Sequence, residues 1–196
     1  MIKHKYLLAL SWVLVMSGCS LMPVEPVLQY GKVNTRHLAN LPAWSFEGRL
    51  AVTDARDSWS ASVDWQHADL AGEQIKLAGP LGQGAAVIRL KDQVVSIDRG
   101  GGKIESSADP EQFISQQLGV FVPVQSLRYW VLGMPEPSMA FSEDAEGFTQ
   151  AGWKVAFKEM QLVGLETLPK KIMVVNKLVK IKLVIDDWNL NGAKAN

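Results

Sequence analysis

Two neighbouring stretches of the chain alternate strictly between apolar and polar side chains. In residues 44–53 and again in residues 58–65, apolar residues such as Trp44 and Trp65 occupy every second position, with mostly polar residues between them. A period of two is typical of β-strands that have one covered face and one wet face. Residues 54–57 predict the hairpin turn between the two strands. The pattern therefore predicts an antiparallel sheet whose apolar face is covered by another part of the chain.

Further strands are predicted on both sides of a helical middle segment. Shorter runs of the same kind follow at residues 73–78, 85–90, 94–98, 103–107, 139–141, 147–150, 153–158, 172–175 and 179–185. Asp109 and Pro110 predict a helix start that Gly119 ends, and a second helix is predicted from Pro123 to Gly133. A short helix is also predicted over residues 33–41. We therefore predict a mainly β fold of ten or eleven antiparallel strands with a few α-helices.

The first nineteen residues predict a bacterial lipoprotein signal. Lys3 and Lys5 precede an apolar run, residues 6–16, that is too short to span a bilayer, which requires about 20 residues. The run ends in Met16-Ser17-Gly18-Cys19, where small residues precede the sole cysteine of the chain. We expect residues 1–18 to be a cleaved signal peptide and Cys19 to carry a lipid. The alternative is an ordinary secretory signal with a chance cysteine.

The residues after the cleavage site predict a tether followed by one domain. Residues 19–30 contain Pro23 and Pro26 and show little periodicity, which favours a lipidated, extended tether. Residues 31–196 are then expected to form a single domain. Ser20 occupies the position where Asp commonly retains lipoproteins at the inner membrane. We therefore expect a lipid-anchored protein on the periplasmic face of the outer membrane.

Composition and spacing argue against several function classes. Without Lys3 and Lys5 the chain holds 18 basic and 20 acidic residues, which gives no support for nucleic-acid binding. His37 and His67 lie far apart in the sequence, whereas a zinc site needs three or four close ligands. Residues 99–102 favour a hairpin turn over a phosphate-binding loop, and no Gly-x-Ser-x-Gly motif is present. We predict no cofactor, no metal and no catalytic residue. An envelope hydrolase would need a nucleophile that we do not find.

Two charged clusters near the C-terminus have open interpretations. Five lysines concentrate there: Lys170, Lys171, Lys177, Lys180 and Lys182. A wet strand face explains them, and attraction to anionic lipid or to an acidic partner is the alternative. Asp186 and Asp187 are adjacent in a predicted strand, so we expect their side chains to point to opposite sides.

The loop at residues 79–84 carries a leucine that its turn does not require. The glycines at 79, 82 and 84 and the proline at 80 suit a turn, whereas Leu81 has few side chains nearby on which to pack. Two interpretations remain open. Either Leu81 folds back onto the core, or it forms a protruding apolar tip for membrane contact.

Several short motifs follow one another through nearly the whole chain after the signal. They are the cleavage box Met16–Cys19, Trp65-Gln66, Gly79-Pro80-Leu81-Gly82, Pro123–Gly133, Gly152-Trp153-Lys154-Val155, Leu168-Pro169 and Ile181–Trp188. In this order the set resembles the LolB family of outer-membrane lipoprotein receptors. Gly79 departs from the family, which often has Asn before the proline, and we expect this departure to loosen the turn.

The resemblance implies a fold and a function. The fold would be an incomplete, unclosed antiparallel β-barrel of about eleven strands, with helices covering an apolar cavity. The protein would accept acylated client lipoproteins from the periplasmic carrier LolA and insert their acyl chains into the outer membrane, where the Cys19 lipid anchors it. Leu81, with Pro80 and Gly82, would form the membrane-insertion loop. We expect a monomer without nucleic-acid partners. The alternative is a structural or assembly lipoprotein whose sheet binds a protein partner.

The alternation and the helix spacing nominate the residues that would line such a cavity. The inward-facing candidates are Phe46, Leu50, Val52, Val63, Trp65, Ile75, Leu77, Ile88, Leu90, Trp130, Trp153 and Ile181. Alternation alone does not separate residues that line a cavity from residues that fill a core.

Overall fold

The computed structural model of the chain describes residues 28–31, 36–82, 84–119 and 121–190. The predicted signal peptide, Cys19 and most of the predicted tether lie outside these residues. The strands are β1 Ala43–Thr53, β2 Ser58–Ala68, β3 Gly72–Ala78, β4 Ala86–Lys91, β5 Val94–Asp98, β6 Ile104–Ser107, β7 Phe141–Asp144, β8 Gly147–Gln150, β9 Trp153–Val163, β10 Glu166–Val175 and β11 Lys180–Asn189. The helices are α1 Pro110–Leu118 and α2 Val124–Trp130, with short 3-10 helices at Arg36–Asn40 and Pro80–Gly82.

The eleven strands form one antiparallel sheet that does not close. Their order is β6-β5-β4-β3-β2-β1-β11-β10-β9-β8-β7. Each half, β1–β6 and β7–β11, is a meander of consecutive strands, and the halves meet where β1 pairs with β11. The free edges are β6 and β7. The predicted fold, an unclosed antiparallel β-barrel of about eleven strands with helices, is confirmed.

The two helices connect the free edges of the sheet and cover its apolar face. The side chain of Asp109 caps α1 by accepting a hydrogen bond from the backbone N–H of Gln112 at 3.0 Å. Gly119 ends α1 with φ of 74°, a left-handed conformation that favours glycine. The second helix, α2, follows Pro123 as predicted and ends at Trp130. A helix was predicted over residues 33–41, of which the structure describes residues 36–41. There the chain forms the 3-10 helix Arg36–Asn40.

The pairing of β1 with β11 contains one irregularity. Glu47 pairs with Asp187 and Gly48 pairs with Ile185, so Asp186 is an extra residue on β11. This bulge leaves both Asp186 and Asp187 exposed and returns Ile185 to the core. The expectation that the two aspartates point to opposite sides is therefore wrong, because side-chain alternation fails at a bulge.

An aromatic cluster fills the end of the barrel interior where β1 begins and β11 ends. Trp44, Phe46, Trp65 and Trp188 are buried there, and their contacting rings have centroids 5.0–6.2 Å apart. Such contacts stabilise a core beyond simple burial of area. This end of the interior is therefore filled, and any opening must lie elsewhere between the sheet and the helices.

The last residues of the predicted tether lie against the domain. Leu28 and Tyr30 pack against the core, and the ring of Tyr30 stacks on Phe157 with centroids 4.5 Å apart. The chain thus meets the domain at β9 before it enters the 3-10 helix and β1.

Candidate functional site

An apolar cavity lies between the helices and the inner face of the sheet. Among the described residues, nineteen side chains line it, all of them Phe, Leu, Ile, Val or Trp. The sheet side is formed by β1–β4, β10 and β11, and the helical side by α1, α2 and the segments next to them. Alternation places these side chains on one face of every strand, because a strand directs every second residue inward.

The cavity is narrow in this conformation. Its volume is about 70 Å³, within a wider region of about 750 Å³ that includes packing gaps and open solvent. An apolar cavity of about 150 Å³ is large enough for benzene. The space described here is therefore too small for a long acyl chain and must widen before it can hold one.

Two of the three tryptophans in the lining turn their polar atoms away from the cavity. The indole nitrogen of Trp65 donates a hydrogen bond to Oε2 of Glu73 at 2.7 Å. The indole nitrogen of Trp130 donates to Oε1 of Gln150 at 2.8 Å. Because both N–H groups have buried partners outside the lining, these two rings present only apolar atoms to the cavity.

Ten of the twelve residues predicted for the cavity line it. They are Phe46, Leu50, Val52, Val63, Trp65, Ile75, Leu77, Ile88, Trp130 and Ile181. Leu90 instead borders a separate polar pocket on the far side of α2. Trp153 is buried beside Trp130, with ring centroids 6.4 Å apart, and does not line the cavity.

Nine further lining residues are absent from the predicted set. They are Trp59, Ile114, Val122, Val124, Leu127, Val131, Ile172, Val174 and Leu183. Trp59, Ile172, Val174 and Leu183 lie on alternating strands, and helical spacing marks Ile114, Leu127 and Val131, so the sequence contained a signal for most of them. Val122 and Val124 flank the start of α2, where neither period applies.

Hydrogen bonds from arginines hold the C-terminal end of α1 against two hairpin turns. Arg56 donates to the carbonyl oxygen of Gly119 at 2.9 Å, and Arg99 donates to the carbonyl oxygen of Gln117 at 3.2 Å. Cations suit this end of a helix because its last carbonyl groups lack helical partners and carry partial negative charge.

The second helix is held at the rim of the cavity through β3. Nε of Arg128 lies 3.7 Å from Oε1 of Glu73, the carboxylate that also binds Trp65. His67 contacts the same oxygen through Nδ1 at 2.7 Å. Trp65, His67 and Glu73 are buried, whereas the side chain of Arg128 is 35% exposed. A small polar network thus joins α2 to the sheet next to an otherwise apolar site.

The loop between β3 and β4 projects a leucine into solvent. The N–H of Gly82 donates to the carbonyl oxygen of Gly79 at 2.9 Å, which closes a turn with Pro80 and Leu81 at its centre. Leu81 has φ of 60° and ψ of 23°, a conformation that glycine or asparagine usually adopts. Its side chain is 98% exposed. Leu81 therefore does not fold back onto the core, and it serves neither the turn nor the packing of the domain.

A metal-binding cluster and a membrane-spanning helix are both absent from the part of the chain that the structure describes. Within it, no three His, Cys, Asp or Glu side chains lie close enough together to hold a metal ion. No helix in that part has the length and apolar character needed to cross a bilayer.

The comparisons with known proteins agree on one family. The sequence model of the family described as outer membrane lipoprotein LolB matches residues 42–188. The outer-membrane lipoprotein LolB of Stutzerimonas stutzeri is 32% identical, over 94% of this chain and 95% of that protein. The proteins of the same name from Pseudomonas paraeruginosa and Thiobacillus denitrificans are 30% and 31% identical, over 92% and 74% of this chain and 94% and 80% of their own lengths. The chain therefore belongs to the LolB family of outer-membrane lipoproteins.

Proposed function

We propose that this chain is a receptor that accepts lipoproteins from the periplasmic carrier LolA, holds their acyl chains in the apolar cavity, and inserts them into the outer membrane. Membership of the family assigns the chain to lipoprotein localisation at the outer membrane. In this proposal LolA is the carrier, the cavity binds the lipid, and Leu81 acts during insertion. We further propose that Cys19 carries the anchoring lipid and that the protein acts as a monomer without catalysis.

The observation that carries this proposal is a cavity lined entirely by apolar side chains. Each methylene of an acyl chain contributes about 0.8 kcal/mol when it leaves water, so an acyl chain needs a continuous shield during transfer. A lining of Phe, Leu, Ile, Val and Trp gives that shield without hydrogen bonds that would select one shape. Chains of different length and saturation can therefore share the same site.

Binding requires the helices to separate from the sheet, because a volume of about 70 Å³ is too small for an acyl chain. The polar contacts that hold the helices include the hydrogen bond from Arg56, whose side chain is 78% exposed, to Gly119 and the contact of Arg128, 35% exposed, with the buried Glu73. Burial of apolar side chains such as Ile114, Trp130 and Val131 also holds the cover. An acyl chain that packs against the same side chains can offset the loss of that packing.

The proposed anchor leaves enough chain for the domain to reach the bilayer. Tyr30 lies against Phe157. Phe157 is four residues from the end of β9 that lies near the Leu81 loop, about 13 Å along the strand. The eleven residues from Cys19 to Tyr30 can span at most about 40 Å. A lipid on Cys19 and a Leu81 loop at the membrane surface are thus compatible.

Three substitutions separate client binding from delivery. Leu77→Glu places a carboxylate in the cavity lining, and we expect it to abolish binding of an acylated client. Leu50→Trp fills the cavity without adding charge and should also reduce client binding if the first variant folds poorly. Leu81→Glu should spare folding and client binding but block delivery to outer-membrane vesicles. Leu165→Glu is the matched control, because Leu165 is 101% exposed in the hairpin at the opposite end of the sheet.

Each result distinguishes the proposal from its alternative. Normal client binding by a folded Leu77→Glu or Leu50→Trp protein would exclude the cavity as the lipid site. Normal delivery by Leu81→Glu would exclude the loop as the insertion element. Recovery of a stable envelope complex without any acylated client would favour a structural lipoprotein whose sheet binds a protein partner.

A further inference from the structure

We propose that the tip of the β10–β11 hairpin, residues 176–180, is a second membrane-contact site that binds anionic phospholipid and acts together with Leu81. The inference deepens the proposed function and rests on it, since it takes the Leu81 loop as the side of the domain that meets the bilayer. It assigns a role to Lys177 and Lys180, which the cavity and the Leu81 loop do not use.

The topology brings this tip and Leu81 to the same end of the sheet. Hairpins of an antiparallel meander alternate between the two ends, so the turns at residues 54–57, 79–85 and 176–179 all leave one end. Lys180 pairs with Thr53 and Thr53 pairs with Ser58, which sets the hairpin tip directly beside the turn at 54–57. Four strand spacings separate the tip from the Leu81 loop, about 19 Å measured along the sheet. Two points at this separation can rest on one bilayer surface.

The hairpin exposes a leucine that its backbone does not require. Oδ1 of Asn176 accepts hydrogen bonds from the N–H groups of Leu178 and Val179 at 2.8 and 2.7 Å. The backbone N–H of Asn176 also donates to the carbonyl oxygen of Val179 at 3.0 Å, and Val179 is buried. The turn is thus shaped by Asn176 and anchored by Val179. Leu178 takes no part in the core and remains 76% exposed.

Positive charge surrounds this leucine. Lys177 precedes it and Lys180 follows two residues later; both are exposed, and among the described residues neither forms an ion pair. The neighbouring turn holds Asp54 and Asp57, whose Oδ1 atoms accept hydrogen bonds from backbone N–H groups, and the guanidinium of Arg56 lies 3.5 Å from Asp54. An apolar tip between two available cations fits an anionic phospholipid surface, where the leucine enters the acyl region and the lysines stay at the headgroups.

The opposite end of the sheet also exposes leucines, but in an acidic setting. Leu165 is followed by Glu166, which lies 3.0 Å from Nε2 of His37, and Leu70 is preceded by the exposed Asp69. Neither leucine has a lysine or arginine within two residues in the sequence, so these tips offer no cation to an anionic surface. Charge complementarity therefore selects the end of the sheet that holds Leu81 and Leu178.

The test uses the lipidated protein in vesicles. Because Cys19 is the sole cysteine and its thiol would be acylated, a cysteine introduced at position 178 is the only free thiol for an environment-sensitive NBD label. We compare Leu178→Cys with Leu81→Cys and with Leu165→Cys, in phosphatidylcholine vesicles with and without phosphatidylglycerol. We expect NBD emission at positions 81 and 178, but not at 165, to shift to the blue, and the shift at 178 to grow with phosphatidylglycerol and to fall with salt.

A lysine-free tip tests the charge directly. Adding Lys177→Gln and Lys180→Gln to the labelled Leu178→Cys protein should lower the inserted fraction in anionic vesicles by up to about 30-fold, because each lysine near such a surface contributes about a factor of five. Far-ultraviolet circular dichroism of these variants should match the parent.

The outcomes separate this inference from the proposed function. A blue shift at position 81 without one at 178 would overturn the second contact and leave the proposed function intact. No shift at either position would instead contradict the proposed orientation of the whole domain. A blue shift at position 178 that depends on neither phosphatidylglycerol nor the two lysines would overturn the anionic-lipid assignment. A shift that appears only when LolA is added would assign the tip to a protein partner and also overturn the inference.

Discussion

The indole nitrogen of Trp65 donates a 2.7 Å hydrogen bond to Oε2 of Glu73, and this bond turns the polar edge of Trp65 away from the cavity that its ring lines. The other carboxylate oxygen of Glu73 contacts Nδ1 of the buried His67, also at 2.7 Å. One side chain therefore satisfies two buried polar groups. It lets a tryptophan, which offers a large apolar surface, serve in a site that must repel water.

We expect Glu73→Ala to lower the free energy of unfolding by about 3 kcal/mol, because it leaves the donor of Trp65 and a ring nitrogen of His67 buried without partners. Glu73→Gln keeps an acceptor and should cost less. Urea denaturation measures both values. Glu143→Ala removes an exposed carboxylate from edge strand β7 and is the control. Equal stability of Glu73→Ala and Glu143→Ala would show that this network does not support the site.

The bulge in β11 depends on a close approach to β1. A Cβ atom added at Gly48 would lie 2.3 Å from the carbonyl oxygen of Val184, which is backbone and has little freedom to move. We expect Gly48→Ala to lower the free energy of unfolding by about 3 kcal/mol, near the upper end of the range for overpacking. A thermal or urea unfolding curve gives the value.

The matched control for this substitution is Gly101→Ala. Gly101 has φ of 71° with open space around its Cα, so alanine there meets strain but no clash and should cost about 1 kcal/mol. Similar losses at positions 48 and 101 would mean that β11 can shift to accept a side chain at Gly48.

The pKa of the Tyr30 phenol shows whether the N-terminal segment packs against β9. Burial raises the pKa of the Tyr30 phenol to about 12, and the nearby carboxylates of Glu143 and Asp144 add to the effect. The ordinary pKa of tyrosine in an unfolded chain is about 10. Because the folded-state pKa is the higher one, the stabilisation is complete below pH 10 and is lost as the pH rises toward 12.

The difference between the tyrosinate absorbance of the parent and of Tyr30→Phe isolates this titration. We expect its midpoint near pH 12, with circular dichroism recorded at each pH to follow folding. A midpoint near pH 10 in the folded protein would mean that Tyr30 does not stay docked against Phe157.

Local sequence patterns predicted most of the strands and helices, although β7 lies at Phe141–Asp144 rather than at residues 139–141. They did not predict which distant strands pair with each other. Alternation in β1 and β2 identified Phe46, Val52 and Val63 as inward-facing because both strands are regular on that face. It failed at Asp186, since a bulge depends on how β1 and β11 meet across 137 positions of sequence. The pairing of the first strand with the last depends on the same long-range contact, so no local period reveals it.

The errors in predicting the site residues also arise from contacts that are distant in the sequence. Leu90 and Trp153 occupy positions that alternation assigns to the inner face of the sheet. Leu90 nevertheless borders a polar pocket and Trp153 packs on Trp130, because the position of a residue along its strand decides which side chains surround it. The sequence identifies Leu81 as a leucine that its glycine-rich turn does not require. Its exposure could not be read from sequence, since it depends on a left-handed turn with no neighbouring element to receive the side chain.

In the proposed function, an acyl chain enters the space between the helices and the inner face of the sheet. Adjacent positions on β11 test it most directly, because Leu183 lines the cavity whereas Lys182 is exposed on the outer face. A photoreactive amino acid at each position is irradiated with an acylated client lipoprotein and, separately, with its unacylated form. We predict cross-links from position 183 to the acylated client alone and none from position 182. Equal cross-linking at both positions, or cross-linking at 183 to the unacylated client, would contradict the account.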